Sequence, residues 1–160
     1  MAAGNTYTSI ATTTLSSTSS AVTFSSISGA YTDLVLVYNG YASSGTANAR
    51  FLINGDTGSN YSYTTFEGSG TAAAAAVGTS QSSGYLWQTS LGNQTGIIHF
   101  LNYSNTTTYK TTLSRGANPA SYISADVNLW RSTSAITSIT IQGTTYQIGS
   151  TFSLYGIAAA

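Results

Sequence analysis

Residues 130–157 read WRSTSAITSITIQGTTYQIGSTFSLYGI, and this stretch decides the fold class. β-branched side chains dominate residues 136–141, and large apolar side chains recur at alternate positions in residues 151–157, which is typical of strands. The intervening residues 142–145, QGTT, favour a turn. The stretch therefore predicts two paired strands joined by a turn. Because the chain ends three residues later, we expect this closing hairpin to lie in the core of a sheet.

The same strand pattern continues through the rest of the chain. Short continuous apolar runs at residues 34–38 and 96–103 predict central strands that are covered on both faces. The dipeptide Asn54-Gly55 predicts a tight turn between a strand at residues 49–53 and a returning strand at residues 61–66.

Residues 122–130 show the alternation of a pleated strand most clearly. One predicted face carries Ile123, Ala125, Val127 and Leu129, and the other carries Ser124, Asp126 and Asn128. With about 9–11 short strands and no amphipathic helix, the chain is predicted to be an all-β, antiparallel β-sandwich with a jelly-roll-like arrangement.

Two segments fit this pattern less well. Residues 1–15 are hydroxyl-rich with sparse apolar side chains, and we expect an N-terminal arm or an edge strand there, with residues 16–160 forming one sandwich domain. Residues 68–84 contain five consecutive alanines, 72–76. Since an isolated helix needs about 12 residues to be marginally stable, this segment is predicted to be a mobile or partner-ordered loop, with a short helix as the alternative.

The composition excludes several classes of partner. Only 5% of the residues are charged, with four basic and four acidic side chains and zero net charge, against about 25% charged in ordinary proteins. No basic stripe for nucleic acid or basic amphipathic face for a membrane surface can be built from four scattered cations. Serine and threonine together number 53, so the surface is polar but uncharged, and self-association is favoured because little charge repulsion opposes it.

No residue set points to catalysis or to a metal. There is no cysteine, and His99 is the one histidine, inside an apolar run, so a core or interface role is the preferred interpretation. Asp56 and Glu67 could meet across the predicted hairpin, but a surface-turn role for Asp56 is preferred. No Gly-x-Ser-x-Gly elbow is present. We therefore expect no enzyme activity, no cofactor and no metal.

The twelve tyrosines are the remaining candidates for recognition, because flat aromatic rings serve both at protein interfaces and on sugar faces. The alternative is packing at strand ends or at subunit contacts. The six tyrosines nearest to predicted loops are Tyr38, Tyr41, Tyr61, Tyr63, Tyr85 and Tyr103.

Three blocks of the sequence resemble a β-rich domain found in virion proteins of tailed bacteriophages. They are NGDTGSNYS at 54–62, WRSTSAI at 130–136 and GSTFSLYGI at 149–157, and the likeness runs in order through nearly the whole chain. Domains of this kind resemble jelly rolls that occur as capsid decoration (cement) proteins or as terminal modules of fibre proteins. A chain that begins at Met1 and has no fibrous shaft fits the decoration role better.

The resemblance implies a structural virion protein, made in the host cytoplasm, that binds the outside of the major capsid protein shell as a homotrimer at local threefold positions. Residues 1–15 and 68–84 are expected to face the capsid or a neighbouring subunit. Deletion of residues 1–15 is expected to abolish shell binding without unfolding the domain. The alternatives are a receptor- or glycan-binding module that uses the loop tyrosines and, less favoured, a polysaccharide hydrolase that uses His99, Asp56 and Glu67.

Overall fold

The computed structural model describes residues 6–44, 48–86, 92–118 and 122–158, and the regular elements in these ranges are all β-strands. The strands are β1 (Tyr7–Thr14), β2 (Ser19–Phe24), β3 (Asp33–Ser44), β4 (Arg50–Ile53), β5 (Tyr61–Gly68), β6 (Ala73–Gln81), β7 (Gly84–Tyr85), β8 (Gly92–Leu101), β9 (Lys110–Asn118), β10 (Tyr122–Trp130), β11 (Ile139–Tyr146) and β12 (Thr151–Ile157). Within these ranges, no helix has the length and apolar character needed to cross a membrane. The predicted fold class, an all-β antiparallel sandwich of the jelly-roll-like kind, is confirmed.

The strands form a large and a small antiparallel sheet. The large sheet has the order β6-β5-β10-β9-β8-β3-β12-β1, and the small sheet has the order β2-β11-β4-β7. The two sheets are joined at one corner, where Tyr146 of β11 pairs with Ala42 of β3.

The core lies between the sheets and is rich in aromatic rings. Its buried side chains come from β2, β4 and β11 of the small sheet and from β3, β8 and β12 of the large sheet. Phe51 of the small sheet meets Phe100 of the large sheet edge to face at 5.7 Å between ring centroids. Tyr38 and Phe152 on neighbouring strands stack at 4.9 Å. Such contacts add about 0.5–1.5 kcal/mol per pair beyond the area they bury.

The closing hairpin predicted for residues 130–157 is wrong, although both of its strands exist. β11 pairs with β2 and β4, whereas β12 lies between β1 and β3 in the other sheet. The apolar side chains of the two strands meet in the core from opposite sheets, so the strands pack against each other and do not pair. Gly143, expected in a turn, lies within β11 at φ 101°. A Cβ there would meet the Asn48 carbonyl oxygen at 2.3 Å, which explains a glycine at this position.

The predicted hairpin at Asn54-Gly55 is also wrong in its pairing. The tight turn is present, with φ of 53° and 67° at the two residues, which is the left-handed conformation that this dipeptide favours. The flanking strands then separate, because β4 pairs with β11 and β7 whereas β5 pairs with β10 and β6.

The side chain of Asn54 joins this turn to the connection between β10 and β11. Its Nδ2 donates to the Ala135 carbonyl at 2.8 Å. Its Oδ1 accepts from the backbone N–H groups of Thr137 at 2.8 Å and Ser138 at 3.0 Å. One amide therefore satisfies three main-chain groups of a connection that is distant in sequence.

Replacement of Asn54 by alanine is expected to lower the free energy of unfolding by about 2 kcal/mol, because three main-chain groups lose their hydrogen-bond partner and alanine is strained at positive φ. Urea denaturation measures the loss. Asn54→Gly avoids the backbone strain but still lacks the side-chain hydrogen bonds, so its stability should lie between those of Asn54→Ala and wild type. Asn54→Asp should keep the bonds that the Oδ1 atom accepts and lose the bond that the Nδ2 group donates. Wild-type stability in Asn54→Gly would show that the side-chain bonds contribute little.

The prediction of a loop over residues 68–84 is corrected by β6. The alanines Ala73–Ala76 lie opposite Thr65–Gly68 of β5, and the turn before them closes through a bond from Ser69 N–H to the Ala72 carbonyl. Cross-strand pairing over eight residues of β5 overrides the helix propensity of alanine, which is a weak preference.

Residues 7–14 form β1, which pairs along its whole length with β12. The segment is thus an edge strand of the large sheet. A deletion of residues 1–15 would remove this strand and expose the edge of β12. We therefore expect the deletion to destabilise the domain, whereas the sequence suggested that the domain would stay folded.

Candidate assembly surface

The large sheet is polar on its inner side and apolar on its outer side along β10. Ser124, Asp126 and Asn128 face the interior and are 9%, 2% and 1% exposed, respectively. Ile123 and Val127 on the opposite face are 65% and 44% exposed. The alternation predicted from the sequence is present, and its apolar face is the one that points to solvent.

Exposed apolar side chains are concentrated on this outer side. Of the seven large hydrophobic residues other than tyrosine that are exposed in the described ranges, six lie there. We define the outer face by these six residues: Val37, Phe66, Val77, Leu113, Ile123 and Val127. One cross-strand row crosses this face over five neighbouring strands, in the order Phe66, Ala125, Arg115, Ile97, Val37. A concentrated apolar patch marks a contact surface, whereas scattered apolar residues need no explanation.

Two shallow depressions lie between the protruding side chains of the outer face. The first, of about 470 Å³, is bordered by Phe66, Leu113 and Val127. The second, of about 610 Å³, is bordered by Val37 and Ile123. Ile97 and Arg115 border both depressions. The outer face therefore offers both projecting apolar groups and hollows that can receive such groups.

His99 lies on the outer side of β8, between Val35 of β3 and Leu113 of β9. It is partly buried and borders the first depression. In the described part of the chain, no three His, Cys, Asp or Glu side chains come together as a metal site. The position of His99 suits an interface residue.

A buried polar layer lies beneath the outer face, on the inner side of β5, β9 and β10. Asp126 Oδ2 accepts hydrogen bonds from Ser114 Oγ at 3.0 Å and Ser124 Oγ at 3.3 Å. Its Oδ1 has no hydrogen-bond partner among the described residues. Burial raises the pKa of Asp126 to about 7, the nearby Glu67 carboxylate adds to this increase, and the hydrogen bonds from Ser114 and Ser124 oppose it.

β7 covers this polar layer through three hydrogen bonds of Tyr85. The side chain of Asn128 accepts from the Tyr85 N–H at 2.8 Å and donates to the Tyr85 carbonyl at 2.9 Å. The Tyr85 hydroxyl donates to Glu67 Oε1 at 2.7 Å. Glu67 thus has a structural partner at the edge of the layer.

Asp56 has a separate structural role. Its Oδ2 accepts from Trp130 Nε1 at 2.6 Å and from Asn60 Nδ2 at 2.9 Å, and its Oδ1 accepts from the Gly58 N–H at 2.8 Å. Burial by itself raises the pKa of Asp56, but these three hydrogen bonds outweigh it and the net pKa is lowered. The possible pairing of Asp56 with Glu67 across a hairpin is not found, since the hairpin is absent and the two carboxylates bind different side chains.

Four of the six candidate tyrosines are unavailable for contact with a ligand. Tyr38, Tyr61, Tyr85 and Tyr103 are all at most 4% exposed, because their rings pack inside and their hydroxyls bond there. The Tyr38 hydroxyl donates to Gln94 Oε1 at 2.9 Å, for example, and the Tyr103 hydroxyl donates to the Ser28 carbonyl.

The other two candidate tyrosines remain accessible to different degrees. Tyr63 is partly buried and stacks on Tyr85 at 4.6 Å between ring centroids. Tyr41 is 47% exposed and borders a small depression of about 230 Å³ together with Asn39 and Asn93. Of the six, Tyr41 is the one that presents a largely free ring.

Comparisons with known proteins add little to this description. No protein-family model and no curated protein matches the chain. Among solved structures, the alginate lyase Aly36B in complex with an alginate tetrasaccharide is similar at 8% identity and a TM-score of 0.34, over 81% of this chain and 72% of that one. A likeness this low carries no argument about function, which must be argued from the surface of the molecule.

Proposed function

We propose that this chain is a structural virion protein of a tailed phage, a capsid decoration (cement) protein that binds the outside of the major capsid protein shell and stabilises it. The observation that best supports this proposal is the outer face, which is an apolar surface on a chain with zero net charge. Such a surface suits permanent assembly better than a freely diffusing monomer. The proposed role involves no catalysis, no nucleic acid and no membrane.

The blocks that resemble phage virion domains support the proposal through their place in the fold. The first two blocks, 54–62 and 130–136, contact each other directly through the bond from Trp130 to Asp56 and the bond from Asn54 to Ala135. The third block, 149–157, contains β12 with its buried Phe152 and Leu154. The resemblance therefore rests on residues that hold the sandwich together.

A decoration protein acts by adding buried contact area across the seams between shell subunits. Each apolar Å² that is removed from water contributes about 25 cal/mol, and a rigid sandwich transmits this stabilisation across a seam because its core resists deformation. A homotrimer at local threefold positions would bring three such contacts to one site, so their combined strength would exceed that of a single copy.

The proposal predicts where the protein lies on the virion. Antibody raised against this chain and viewed by electron microscopy on intact particles should label the faces of the head. Label restricted to the tail or to a few projecting fibres would refute the decoration role.

Tyr41 favours a second candidate, the receptor- or glycan-binding module of a tail or head fibre. Its exposed ring beside Asn39 and Asn93 combines a stacking surface with amide hydrogen-bonding groups, the combination that sugar recognition uses. A glycan array should show binding that Tyr41→Ala abolishes if this candidate is correct. A decoration protein should give no array signal in either form.

A further inference from the structure

We infer that the outer face is covered by a second copy of this chain. The inference rests on the proposed function and refines it: the outer face holds the copies of the assembly together, and the assembly binds the shell through its other surfaces. Four properties of this chain bear on the contact: the area and the shape of the outer face, a free strand edge beside it, and a zero net charge.

The area of the outer face fits one side of a stable protein interface. At whole-residue areas of about 150–200 Å², the exposed fractions of its six side chains correspond to roughly 550 Å² of apolar surface. The exposed Ala125 and the exposed alanines of β6 extend this surface further. The total approaches the ~800 Å² that each partner contributes to an interface of standard size.

The outer face carries both projections and hollows. Phe66 and Ile123 protrude, with 58% and 65% of their surfaces exposed. The first depression beside them is bordered mostly by apolar side chains, and the second combines Val37, Ile97 and Ile123 with polar residues such as Asn39 and Thr95. A second copy brings the same projections and hollows, whereas an unrelated partner would need to have evolved both.

The edge of the large sheet beside the outer face is unprotected. β6 pairs with β5 on one side and with no described strand on the other. Residues 73–77 are exposed, and the strand carries no charged side chain and no proline. Natural proteins normally protect such edges with charges, prolines or bulges. β6 has a register shift at its end, where Gly78 and Gln81 pair with Tyr63 and Tyr61, but residues 73–77 before it have none of these features. Such a stretch, adjoining an apolar face, is expected where another chain covers both.

The charge of the chain permits a contact between two copies. The chain as a whole has zero net charge, and Arg115 is the charged residue in the cross-strand row that runs through the outer face. Two copies therefore approach each other without long-range repulsion. Each copy brings its own Arg115, whose long stem can pack on the apolar patch while the guanidinium stays in water at the rim of the contact. Copies made together can cover the face before any shell is present, which keeps the free protein soluble.

The test compares two isoleucines with the same exposure. Ile123 lies on the outer face and is 65% exposed, and Ile148 lies in the turn before β12 and is 64% exposed. Sedimentation velocity of the purified chain should show an oligomer for wild type and for Ile148→Lys. Ile123→Lys should weaken self-association by about 100-fold or more, because lysine would be buried without a partner at the contact. Circular dichroism melting curves establish that both variants are folded.

Three outcomes would overturn the inference: a wild-type monomer, an Ile123→Lys oligomer as strong as wild type, or equal dissociation by both variants. The proposed function is tested separately by labelling of the virion. Unlabelled heads together with an oligomer that only Ile123→Lys dissociates would refute the decoration role and leave this inference standing.

Discussion

Replacement of Asp126 by asparagine is expected to stabilise the protein at pH 8 and to have little effect at pH 4. Asp126 is 2% exposed, and burial raises its pKa to about 7 from the ordinary value of 3.8. The fold favours the protonated form of such a carboxyl group. Ionisation of the group at a pH above its folded pKa therefore lowers the free energy of unfolding.

The sign of the effect follows from the two pKa values. Below about pH 4 the carboxyl is protonated in both the folded and the unfolded chain, so it imposes no penalty. As the pH rises from about 4 to about 7, the unfolded chain releases the proton first, and stability falls by about 1.4 kcal/mol per pH unit. Above the folded pKa the penalty is constant, on the order of 4 kcal/mol.

Asparagine can retain the geometry of Asp126 without the charge. Its carbonyl oxygen can accept the bonds that Ser114 and Ser124 donate to Asp126 Oδ2. Glu67 and His99 are present in both proteins, so the pH-dependent difference between them arises from the Asp126 carboxyl and its interaction with Glu67.

Urea denaturation at several pH values from 4 to 8 measures the effect. The free energy of unfolding of Asp126→Asn minus that of wild type should rise with pH and level off above about 7. A difference that is constant over this range would show that the Asp126 carboxyl ionises normally in the folded protein.

The existence of the strands could be predicted from the sequence, but several of their pairings could not. β-branched runs and period-two alternation are local properties, and they locate β3, β8, β10 and β12 well. The choice of neighbour is not local. β11 and β12 adjoin in sequence, yet their apolar side chains meet from opposite sheets, so the preference for sequential hairpins gave the wrong pairing twice.

The candidate surface was harder to predict because alternation reveals two faces without showing which one is inside. In β10, the sets Ile123/Val127 and Ser124/Asp126 have opposite character, and the usual expectation places the apolar set in the core. Hydrogen bonds from β7 and β9 allow the polar set to be buried here. The neighbouring strand β9 has the same alternation of polar and apolar residues, because Leu113 lies between Thr112 and Ser114. This was the available signal that the polar side chains of both strands share one face.

The sequence also could not show which tyrosines are exposed. The phenol group of tyrosine suits both a core with an internal acceptor and an exposed contact surface. Tyr38 and Tyr41 are three residues apart on β3, and one is 1% exposed while the other is 47% exposed. Sequence position near a loop could not separate them, because the acceptor of the Tyr38 hydroxyl, Gln94, lies on β8.

A single methyl group at Gly84 is expected to destabilise the protein by about 2–4 kcal/mol. Gly84 lies directly opposite Phe51 in the pairing of β7 with β4. A Cβ at Gly84 would lie 2.0 Å from Cζ of the Phe51 ring. The ring is fully buried and meets Tyr61 and Phe100 edge to face at 6.2 and 5.7 Å between centroids, so moving it aside would disturb two further aromatic contacts in the core.

Thermal and urea denaturation of Gly84→Ala measure this effect, with Gly29→Ala as the matched control. The nearest atom to a Cβ at Gly29 is Ser104 Cβ at 3.7 Å, an ordinary contact, so Gly29→Ala should change stability by less than about 0.5 kcal/mol. Combining Gly84→Ala with Phe51→Leu should cost less than the sum of the two single changes, because the smaller side chain makes room for the methyl group.

Amide hydrogen exchange at Tyr85 provides a second measurement of the effect of Gly84→Ala. The next residue, Tyr85, donates its N–H to Asn128 and its hydroxyl to Glu67, so close packing of β7 on Phe51 holds the cover of the buried polar layer in place. If Gly84→Ala lifts β7, the amide hydrogen of Tyr85 should exchange faster than in wild type and in Gly29→Ala. Unchanged exchange together with unchanged stability would show that Phe51 can move aside, and that the fit between the ring and Gly84 does not hold β7 in place.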